Sequence, residues 1–291
     1  MADACTQGLD TGFVALGYAK VGLLGIVQGI TELLPISSTA HMRVVPALLG
    51  WQDPGSAFSA AMQVAALAAV VGYFWADVEA LVFGSIAALG RRDFHDWNLR
   101  FVVWILIATL PIIIAGALLA PVLNTCNSPL RTLSVIGVSC IVMAALLALA
   151  EVYSRHKRTF DHINLNDALV VGFAQAGALI PGVSRSGATL TAALFRDLTR
   201  PEAARFSFLL GIPAIAAAGF KELYELHKAH LDGHGWSVLA FGLIVASLSS
   251  FVAIWGLMRI LERFSAWPFV VYRFLLGVFL LVGVFANWFP N

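Results

Sequence analysis

The segment GIVQGITELLPISSTAHM, residues 25–42, decides the fold. It begins as an apolar helix, and Pro35 then interrupts that helix beside a cluster of small hydroxylated residues. Proline removes a backbone donor and clashes with the preceding turn, so an irregular stretch follows. Within a membrane, irregular backbone is tolerated only where protein or a water-filled cavity solvates it. We therefore interpret residues 13–49 as a re-entrant hairpin whose tip lines a cavity.

The composition of the chain is that of a membrane protein. Of its 291 residues, 59% are hydrophobic and 12% are charged, whereas soluble chains carry about 25% charged residues. Six stretches reach the roughly 20 apolar residues that a helix needs to cross a bilayer. They run approximately over residues 57–76, 99–123, 130–150, 205–223, 236–258 and 269–289. The net charge of +1 provides no basic surface, so nucleic acid is excluded as a partner and membrane lipids are expected instead.

A second break, GFAQAGALIPGVSRSGAT at residues 172–189, repeats the first. It lies inside another apolar region, residues 167–195, which we also interpret as a re-entrant hairpin. The string GIVQ recurs as GFAQ 147 residues later, and Pro35, Pro54 and Phe58 recur at offsets of 146, 147 and 148 residues. Four matches in nearly constant register indicate an internal repeat.

The repeat sets the expected fold class. If each half holds one hairpin and three spans, an odd number of crossings separates the copies, so they lie upside down to each other. The sequence thus predicts an all-α polytopic membrane protein, with six transmembrane helices and two re-entrant helical hairpins in an inverted-topology repeat. Residues 1–291 form a single domain, with repeat 1 over about 13–123 and repeat 2 over about 160–289. Paired broken segments of this kind point to a shared site near the bilayer midplane.

Positive charge is concentrated on one side of this topology. The basic residues of that side are Arg91, Arg92, Arg100, Arg155, Lys157, Arg158, Arg196, Arg200, Arg205, Arg259 and Arg263. Cytoplasmic loops carry an excess of Lys and Arg, so we expect this side to face the cytoplasm and both termini to lie outside. Lys20 and Arg43 lie near helix ends on the opposite side, where long cationic side chains can reach the headgroups.

The first break carries a candidate acidic site. Gln28 and Glu32 lie four residues apart and share one face of the helix that leads to Pro35. A carboxylate is costly in hydrocarbon and normally marks an ion or substrate path. The structural alternatives are that Gln28 only holds helices together and that Glu32 only pairs with a nearby arginine.

Hydroxyls and an imidazole follow Pro35. Ser37, Ser38 and Thr39 are suited to cap a new helix, with His41 on the same face as the two serines. Such a helix start brings free N–H groups, hydroxyls and an imidazole into one small volume. Simple capping serines and a buried polar histidine are the structural alternatives.

The second break repeats this design around a cation. Arg185 lies between Ser184 and Ser186, with glycines on both sides and Thr189 one turn further on. A guanidinium, small hydroxyls and exposed N–H groups are the components of a phosphate-binding site. A purely structural Arg185 is the alternative, and Arg273 is either a membrane anchor or a substrate contact.

If the two tips meet, an acid, a hydroxyl and an imidazole face an arginine. This combination suits phosphoryl transfer, in which catalysis is mostly positioning and charge neutralisation. A pocket inside the membrane can admit a lipid tail between helices, so we expect the substrate to be a phosphate on a lipid. A transporter or lipid flippase is the alternative, because secondary carriers also use inverted repeats with broken helices.

Together, GIVQGITELLPISSTAHM, AAMQVAALAAVV, PGVSRSGATLT and WPFVVYRF resemble the undecaprenyl-diphosphatase family, the bacitracin-resistance type of integral membrane phosphatase, over essentially the whole chain. The resemblance implies hydrolysis of undecaprenyl diphosphate to the monophosphate and inorganic phosphate, which recycles the carrier lipid of peptidoglycan synthesis in the cell wall. It also implies a divalent metal, Mg²⁺ or Ca²⁺, and a site opening to the outer face of the bacterial inner membrane. The Pro-Ser-Gly-His element of acid-phosphatase-like lipid phosphatases is missing.

The resemblance assigns roles to individual positions. Gln28 and Glu32 match the family's (Glu/Gln)-x-x-x-Glu motif, Ser38 and His41 its Ser-Ser-x-x-His segment, and Arg185 its Pro-Gly-x-Ser-Arg-Ser-Gly loop. Position 28 is often Glu in the family. An amide cannot act as a base and is a weaker metal ligand than a carboxylate, so Glu32 is the expected metal ligand.

The expected catalytic residues are Glu32, Ser38, His41 and Arg185. In the favoured hypothesis Ser38 attacks the terminal phosphorus, His41 takes its proton or protonates the leaving phosphate, and Arg185 holds the diphosphate. Attack by a water activated at Glu32 or His41 is the open variant. The remaining candidates for substrate binding are Gln28, Ser37, Thr39, Ser184, Ser186 and Thr189. The sequence leaves open whether the chain forms a homodimer.

Overall fold

The computed structural model describes residues 11–52, 54–123, 130, 132–228 and 230–288. Within these residues the regular structure is helical and no strand forms. The α-helices are α1 (Phe13–Leu33), α2 (Ser38–Leu48), α3 (Ser56–Ala61), α4 (Gln63–Tyr73), α5 (Trp75–Arg91), α6 (Trp97–Leu123), α7 (Leu133–Tyr153), α8 (Leu165–Ala176), α9 (Arg185–Phe195), α10 (Arg200–Lys228), α11 (Gly233–Arg263) and α12 (Trp267–Phe285). Residue 131 and residue 289, which belong to two predicted spans, lie outside the described residues.

Six helices of the described chain are long and apolar enough to cross a membrane: α1, α6, α7, α10, α11 and α12. The all-α class is therefore confirmed, and six helices of membrane length form as expected. The set differs at one place: α1, predicted as an arm of the first hairpin, is among the six, and the predicted span 57–76 is not. The helices α2, α8 and α9 have 11, 12 and 11 residues, which give lengths of about 16 to 18 Å at 1.5 Å per residue. These three helices are too short to cross, as hairpin arms would be, whereas α1, the first arm of the predicted hairpin 13–49, has 21 residues. The re-entrant path of the two hairpins stays a prediction.

The predicted span 57–76 differs from the structure. The chain bends by 82° there, between residues 57–73 and the helix α5. Just beyond the bend, Asp77 accepts hydrogen bonds from Arg205 at 2.5 and 3.0 Å. The bend therefore places the Asp77 carboxylate beside the arginine of α10. Hydropathy alone detected the apolar residues but not the direction of the chain.

Helices from one half of the chain pack against helices from the other half: α1 contacts α11, and α8 contacts α6. Glycines make these contacts close. A Cβ at Gly29 would lie 2.0 Å from the Ser249 hydroxyl oxygen, and a Cβ at Gly172 would lie 2.2 Å from the Ala108 carbonyl oxygen. Small residues are favoured between membrane helices because they let backbones approach. Two interlocked copies would pack in this way; the inverted orientation and the limits of the repeats stay predictions.

Ion pairs hold the helix ends on the predicted cytoplasmic side. Asp167, at the start of α8, is fully buried and accepts hydrogen bonds from Arg158 at 2.5 Å and Arg196 at 2.6 Å. The Asp167 hydrogen bond raises the pKa of Arg158 above its ordinary value. Glu151 of α7 pairs with Arg200 of α10. Buried carboxylates are stable only when paired, and these pairs join α7, α8, α9 and α10 at one end of the molecule.

Candidate active site

Each break ends in a serine that caps the helix that follows it. Ser37 has φ 73° and Ser184 has φ 66°, values that residues other than glycine rarely adopt. The Ser37 hydroxyl accepts a hydrogen bond from the Ala40 amide at 3.4 Å, and the Ser184 hydroxyl accepts one from the Gly187 amide at 3.2 Å. Both serines are N-caps, so two strained turns of the same design begin α2 and α9.

The two turns touch, as the sequence analysis requires. The Ser186 hydroxyl lies 3.0 Å from the Leu34 carbonyl oxygen and 3.3 Å from that of Glu32, so it donates to the end of α1. The guanidinium of Arg273 donates to the carbonyl of Pro35 at 3.1 Å, and to those of Gly182 and Val183 at 2.9 and 2.8 Å. This one side chain, from α12, thereby joins the first break to the second.

Arg273 has a role that the sequence analysis did not predict. It is 1% exposed, and its three hydrogen bonds go to backbone carbonyls of the two turns. It is therefore neither a membrane anchor nor, in this structure, a side chain that lines the cavity. The available signal was a cation within an apolar span, which usually has a buried partner.

Several of the predicted site residues surround the carboxylate of Glu32, a buried residue with 7% exposure. Its Oε1 accepts from Arg185 at 3.1 Å. Its Oε2 accepts from the Ser38 hydroxyl at 2.7 Å and from the Gln28 amide at 3.0 Å. Residues from α1, α2 and α9 thus meet within hydrogen-bond distance, although 153 positions separate Glu32 from Arg185.

A cavity of about 180 Å³ lies against this cluster. Its lining residues are Gln28, Glu32, Ser38, Thr39, Met42, Arg43, Gly55, Ser59, Ala60, Gln63 and Ile136. The helix α2 supplies the largest share because four of its side chains fall on one face: Ser38, Thr39, Met42 and Arg43. Ser59 of α3 and Gln63 of α4 add polar side chains to those of Glu32 and Ser38, whereas Arg185 is not one of the lining residues. Arg185 therefore reaches the cavity through its contact with Glu32.

His41 points away from this cavity. Its Nδ1 lies 2.7 Å from the Ser37 carbonyl oxygen, and its Nε2 lies 2.6 Å from the Tyr272 hydroxyl. The His41 and Tyr272 rings are nearly parallel, with their centres 5.7 Å apart. A carbonyl oxygen only accepts, so Nδ1 carries the proton of that bond and the Tyr272 hydroxyl donates to Nε2. The Ser38 proton is directed to Glu32 instead. The structure therefore brings Ser38, Glu32 and Arg185 together without His41.

The family model described as bacitracin resistance protein BacA matches residues 21–279. The chain belongs to this family. Undecaprenyl-diphosphatase 2 of Mesorhizobium japonicum is 72% identical over 262 residues, which cover 90% of this chain and 99% of that protein. The undecaprenyl-diphosphatase of Synechococcus elongatus is 48% identical over 270 residues, covering 92% and 94% of the two chains. That of Gloeobacter violaceus is 47% identical over 276 residues, covering 95% of each.

Several candidate residues of this BacA-family chain have local structural contacts. The Thr189 hydroxyl donates to the Arg185 carbonyl at 2.9 Å, within its own helix. The hydroxyls of Ser184 and Ser186 lie 3.2 Å apart. Together with the cap formed by Ser37, these contacts shape the turns, and a direct role for these side chains in substrate binding stays a prediction. Thr39, by contrast, lines the cavity.

The cavity also contains residues that the sequence analysis did not select, Arg43, Ser59 and Gln63. Arg43 was expected to extend toward the headgroups, and in the structure it lines the cavity instead. A glutamine inside the apolar string AAMQVAALAAVV was the signal that could have found Gln63, since amides are uncommon in membrane helices without a polar partner.

The donor set fits a metal shared with the substrate. Among the described residues, no group of three or more His, Cys, Asp or Glu side chains could hold a metal ion. Glu32 is the acidic residue of the lining, and the Gln28 Oε1 atom is buried without a hydrogen-bond partner. Mg²⁺ is usually bound by one or two carboxylates together with substrate phosphates. Glu32 and Gln28 Oε1 match that mode and do not form a complete cage.

Proposed function

We propose that this protein hydrolyses undecaprenyl diphosphate to undecaprenyl phosphate and inorganic phosphate. The observation that carries the proposal is the Ser38 hydroxyl, 2.7 Å from a Glu32 carboxylate that also faces Arg185, beside a polar cavity. The relatives named undecaprenyl-diphosphatase cover nearly the whole chain and support the substrate. The reaction returns the carrier lipid of cell-wall synthesis, and the family's description links it to bacitracin resistance.

Ser38 is the proposed nucleophile. Its oxygen attacks the terminal phosphorus while Glu32 takes the hydroxyl proton, for which the carboxylate is already placed. The bond from that phosphorus to the bridging oxygen breaks, and undecaprenyl phosphate leaves. Water then attacks the phosphoserine, releases inorganic phosphate and restores the Ser38 hydroxyl. Arg185 neutralises the charge that develops on the phosphoryl oxygens.

In this proposal Glu32 replaces His41 as the base for Ser38. Both ring nitrogens of His41 are engaged by Ser37 and Tyr272, so the imidazole holds the strained turn that presents Ser38. A role for His41 in the later transfer to the leaving phosphate stays a prediction.

We propose that Mg²⁺ or Ca²⁺ binds at Glu32 and Gln28 Oε1 together with the diphosphate. The ion supplies positive charge to the phosphate oxygens. One carboxylate and one amide oxygen are few ligands, so the metal is expected to bind tightly only when the substrate is present.

The chain has several membrane-spanning helices and is an integral multi-pass membrane protein. We place it in the bacterial inner membrane with the cavity open to the outer side. The orientation rests on the basic residues around the ion-pair end, which favour the cytoplasm. The proposed partners are the diphosphate lipid and the membrane lipids, with no nucleic acid.

The test is phosphate release by the purified full chain in detergent. We expect Ser38→Ala, Glu32→Gln and Arg185→Ala each to lower kcat/KM by on the order of 10²-fold or more, because each removes a group that acts on the transition state. A chelator should also suppress the wild-type reaction. Rapid quenching with labelled substrate should trap phosphate on Ser38.

Matched controls keep this test specific. Thr31→Ala removes a hydroxyl that bonds within α1, to the Val27 carbonyl at 2.7 Å, and Glu79→Gln removes an exposed carboxylate of α5. Both should retain wild-type turnover. Near-normal turnover of Ser38→Ala would contradict the covalent route, and absence of phosphate release by the wild type would favour a lipid flippase, which gives no product in micelles.

A further inference from the structure

We infer that Arg43 is a second cation of the diphosphate site and binds the phosphate oxygens that Arg185 does not reach. The inference rests on the proposed function and adds a substrate-binding residue to it. It starts from the position of Arg43 on the wall of the cavity that Glu32 and Ser38 also line.

The helix α2 directs Arg43 toward the same space as the nucleophile. Arg43 lies five residues after Ser38, which is about 7.5 Å farther along the helix axis, and four residues after Thr39 on the same face. Its side chain is partly buried. A long guanidinium side chain at this position can reach a phosphate that extends from Ser38 along the cavity, in a fork geometry that matches phosphate oxygens.

The charges of the cavity call for a second cation. The Glu32 carboxylate pairs with Arg185 at 3.1 Å, so Arg185 would share its charge between this carboxylate and a bound anion. A bound diphosphate adds further negative charge among membrane helices, where such charge is costly unless it is paired. Among the residues that line the cavity, Arg43 is the basic one and Glu32 is the acidic one, because position 28 is a glutamine.

Two other helices supply neutral hydrogen-bonding groups to the same cavity. Gln63 is the first residue of α4 and lines the cavity, and so does Ser59, whose hydroxyl donates to the Gly55 carbonyl at a long 3.3 Å. With Arg43 of α2, these side chains give the cavity polar groups from α2, α3 and α4. A small number of polar groups from different elements is how a binding site fixes the orientation of its ligand.

The test measures binding apart from turnover. The probe is farnesyl methylenediphosphonate, a non-hydrolysable diphosphate analogue, bound to the full chain in detergent with Mg²⁺. Loss of a charged hydrogen bond predicts that Arg43→Gln raises the Kd of the probe and the KM of the substrate by about tenfold. The value of kcat should change little, and Arg43→Lys should recover part of the affinity because it restores the charge.

Lys20→Gln is the matched control. The Lys20 ammonium lies 5.3 Å from the centre of the Trp51 ring and does not line the cavity, so its loss should leave Kd, KM and thermal stability unchanged. Wild-type affinity in Arg43→Gln would overturn the inference while the proposed function stands. So would an equal loss of affinity in Lys20→Gln, or a loss in Arg43→Gln accompanied by a lowered Tm that Arg43→Lys does not restore. Failure of the wild type to bind the probe or to release phosphate would instead reject the proposed function.

Discussion

One carboxylate oxygen of Glu32 accepts a hydrogen bond from Arg185, and the other accepts one from Ser38. Both contacts depend on the position of the two turns that carry Ser38 and Arg185. Arg273 fixes the backbone of these turns. Its guanidinium donates to the carbonyls of Pro35, Gly182 and Val183 in the two interruptions, where no helical N–H group is available to them. A change at position 273 should therefore act on Glu32 through the two turns, without contact with the substrate.

We predict that Arg273→Met lowers both stability and activity. The carbonyls of Pro35 and Val183 would lose their donor, and that of Gly182 would keep only the weak hydrogen bond from the Cys140 thiol at 3.6 Å. The expected cost is about 3 kcal/mol in the free energy of unfolding. Thermal unfolding in detergent should show a lowered Tm, and kcat should fall because Ser38 and Arg185 lose their fixed separation. Arg259→Met is the control, since Arg259 is exposed on α11; an equal effect of the two changes would contradict the prediction.

At the scale of helices, the contacts between the two halves of the chain depend on glycines at the points where two helix backbones meet. A Cβ at Gly172 would lie 2.2 Å from the Ala108 carbonyl oxygen and 2.8 Å from its carbonyl carbon. Backbone atoms cannot rotate away as a flexible side chain can, so α8 would have to move away from α6. The second break follows directly from α8, and such a shift would reach Arg185.

Gly172→Ala is thus expected to destabilise the protein by about 2 kcal/mol, as overpacking in a close contact does. The matched control is Gly72→Ala in α4, where a Cβ would meet nothing within 4 Å and alanine favours the helix by up to about 1 kcal/mol. Chemical or thermal unfolding of both variants measures the difference. Equal stability of the two variants would refute the close approach of α8 and α6.

The whole molecule has two chemically different ends. At one end, buried carboxylates pair with arginines and join the helix ends. The cavity lies elsewhere, among residues of α1, α2, α3 and α4. Ion pairs that join the helices at this end fit an enzyme that works from one side of the membrane. A transporter would instead have to open this end during each cycle.

The orientation can be tested by cysteine labelling in whole cells. After replacement of the native Cys5, Cys126 and Cys140, single cysteines are introduced as Leu49→Cys and Arg92→Cys, both at exposed positions. A membrane-impermeant maleimide should label position 49 in intact cells and position 92 only after lysis. The reverse pattern would contradict the proposed orientation, and activity of each variant confirms that it is folded.

Much of this protein follows from local sequence. Apolar length defines the long spans, because crossing a bilayer requires it of each helix separately. Pro35 and Pro181 define the breaks, because proline acts on its own turn. Gln28, Glu32, Ser38 and Arg185 were recognisable because polar groups beside such breaks are costly unless they are used.

The tertiary structure alone decided the rest, because contacts between distant segments depend on how the helices are rotated and packed. The sequence placed His41 on the face of Ser37 and Ser38, yet packing turned it to Tyr272, 231 positions away. Packing likewise brought Arg43 into the cavity and Arg273 onto two backbone turns. Helical spacing defines which residues share a face, whereas the neighbour that this face meets is set by the whole assembly of helices.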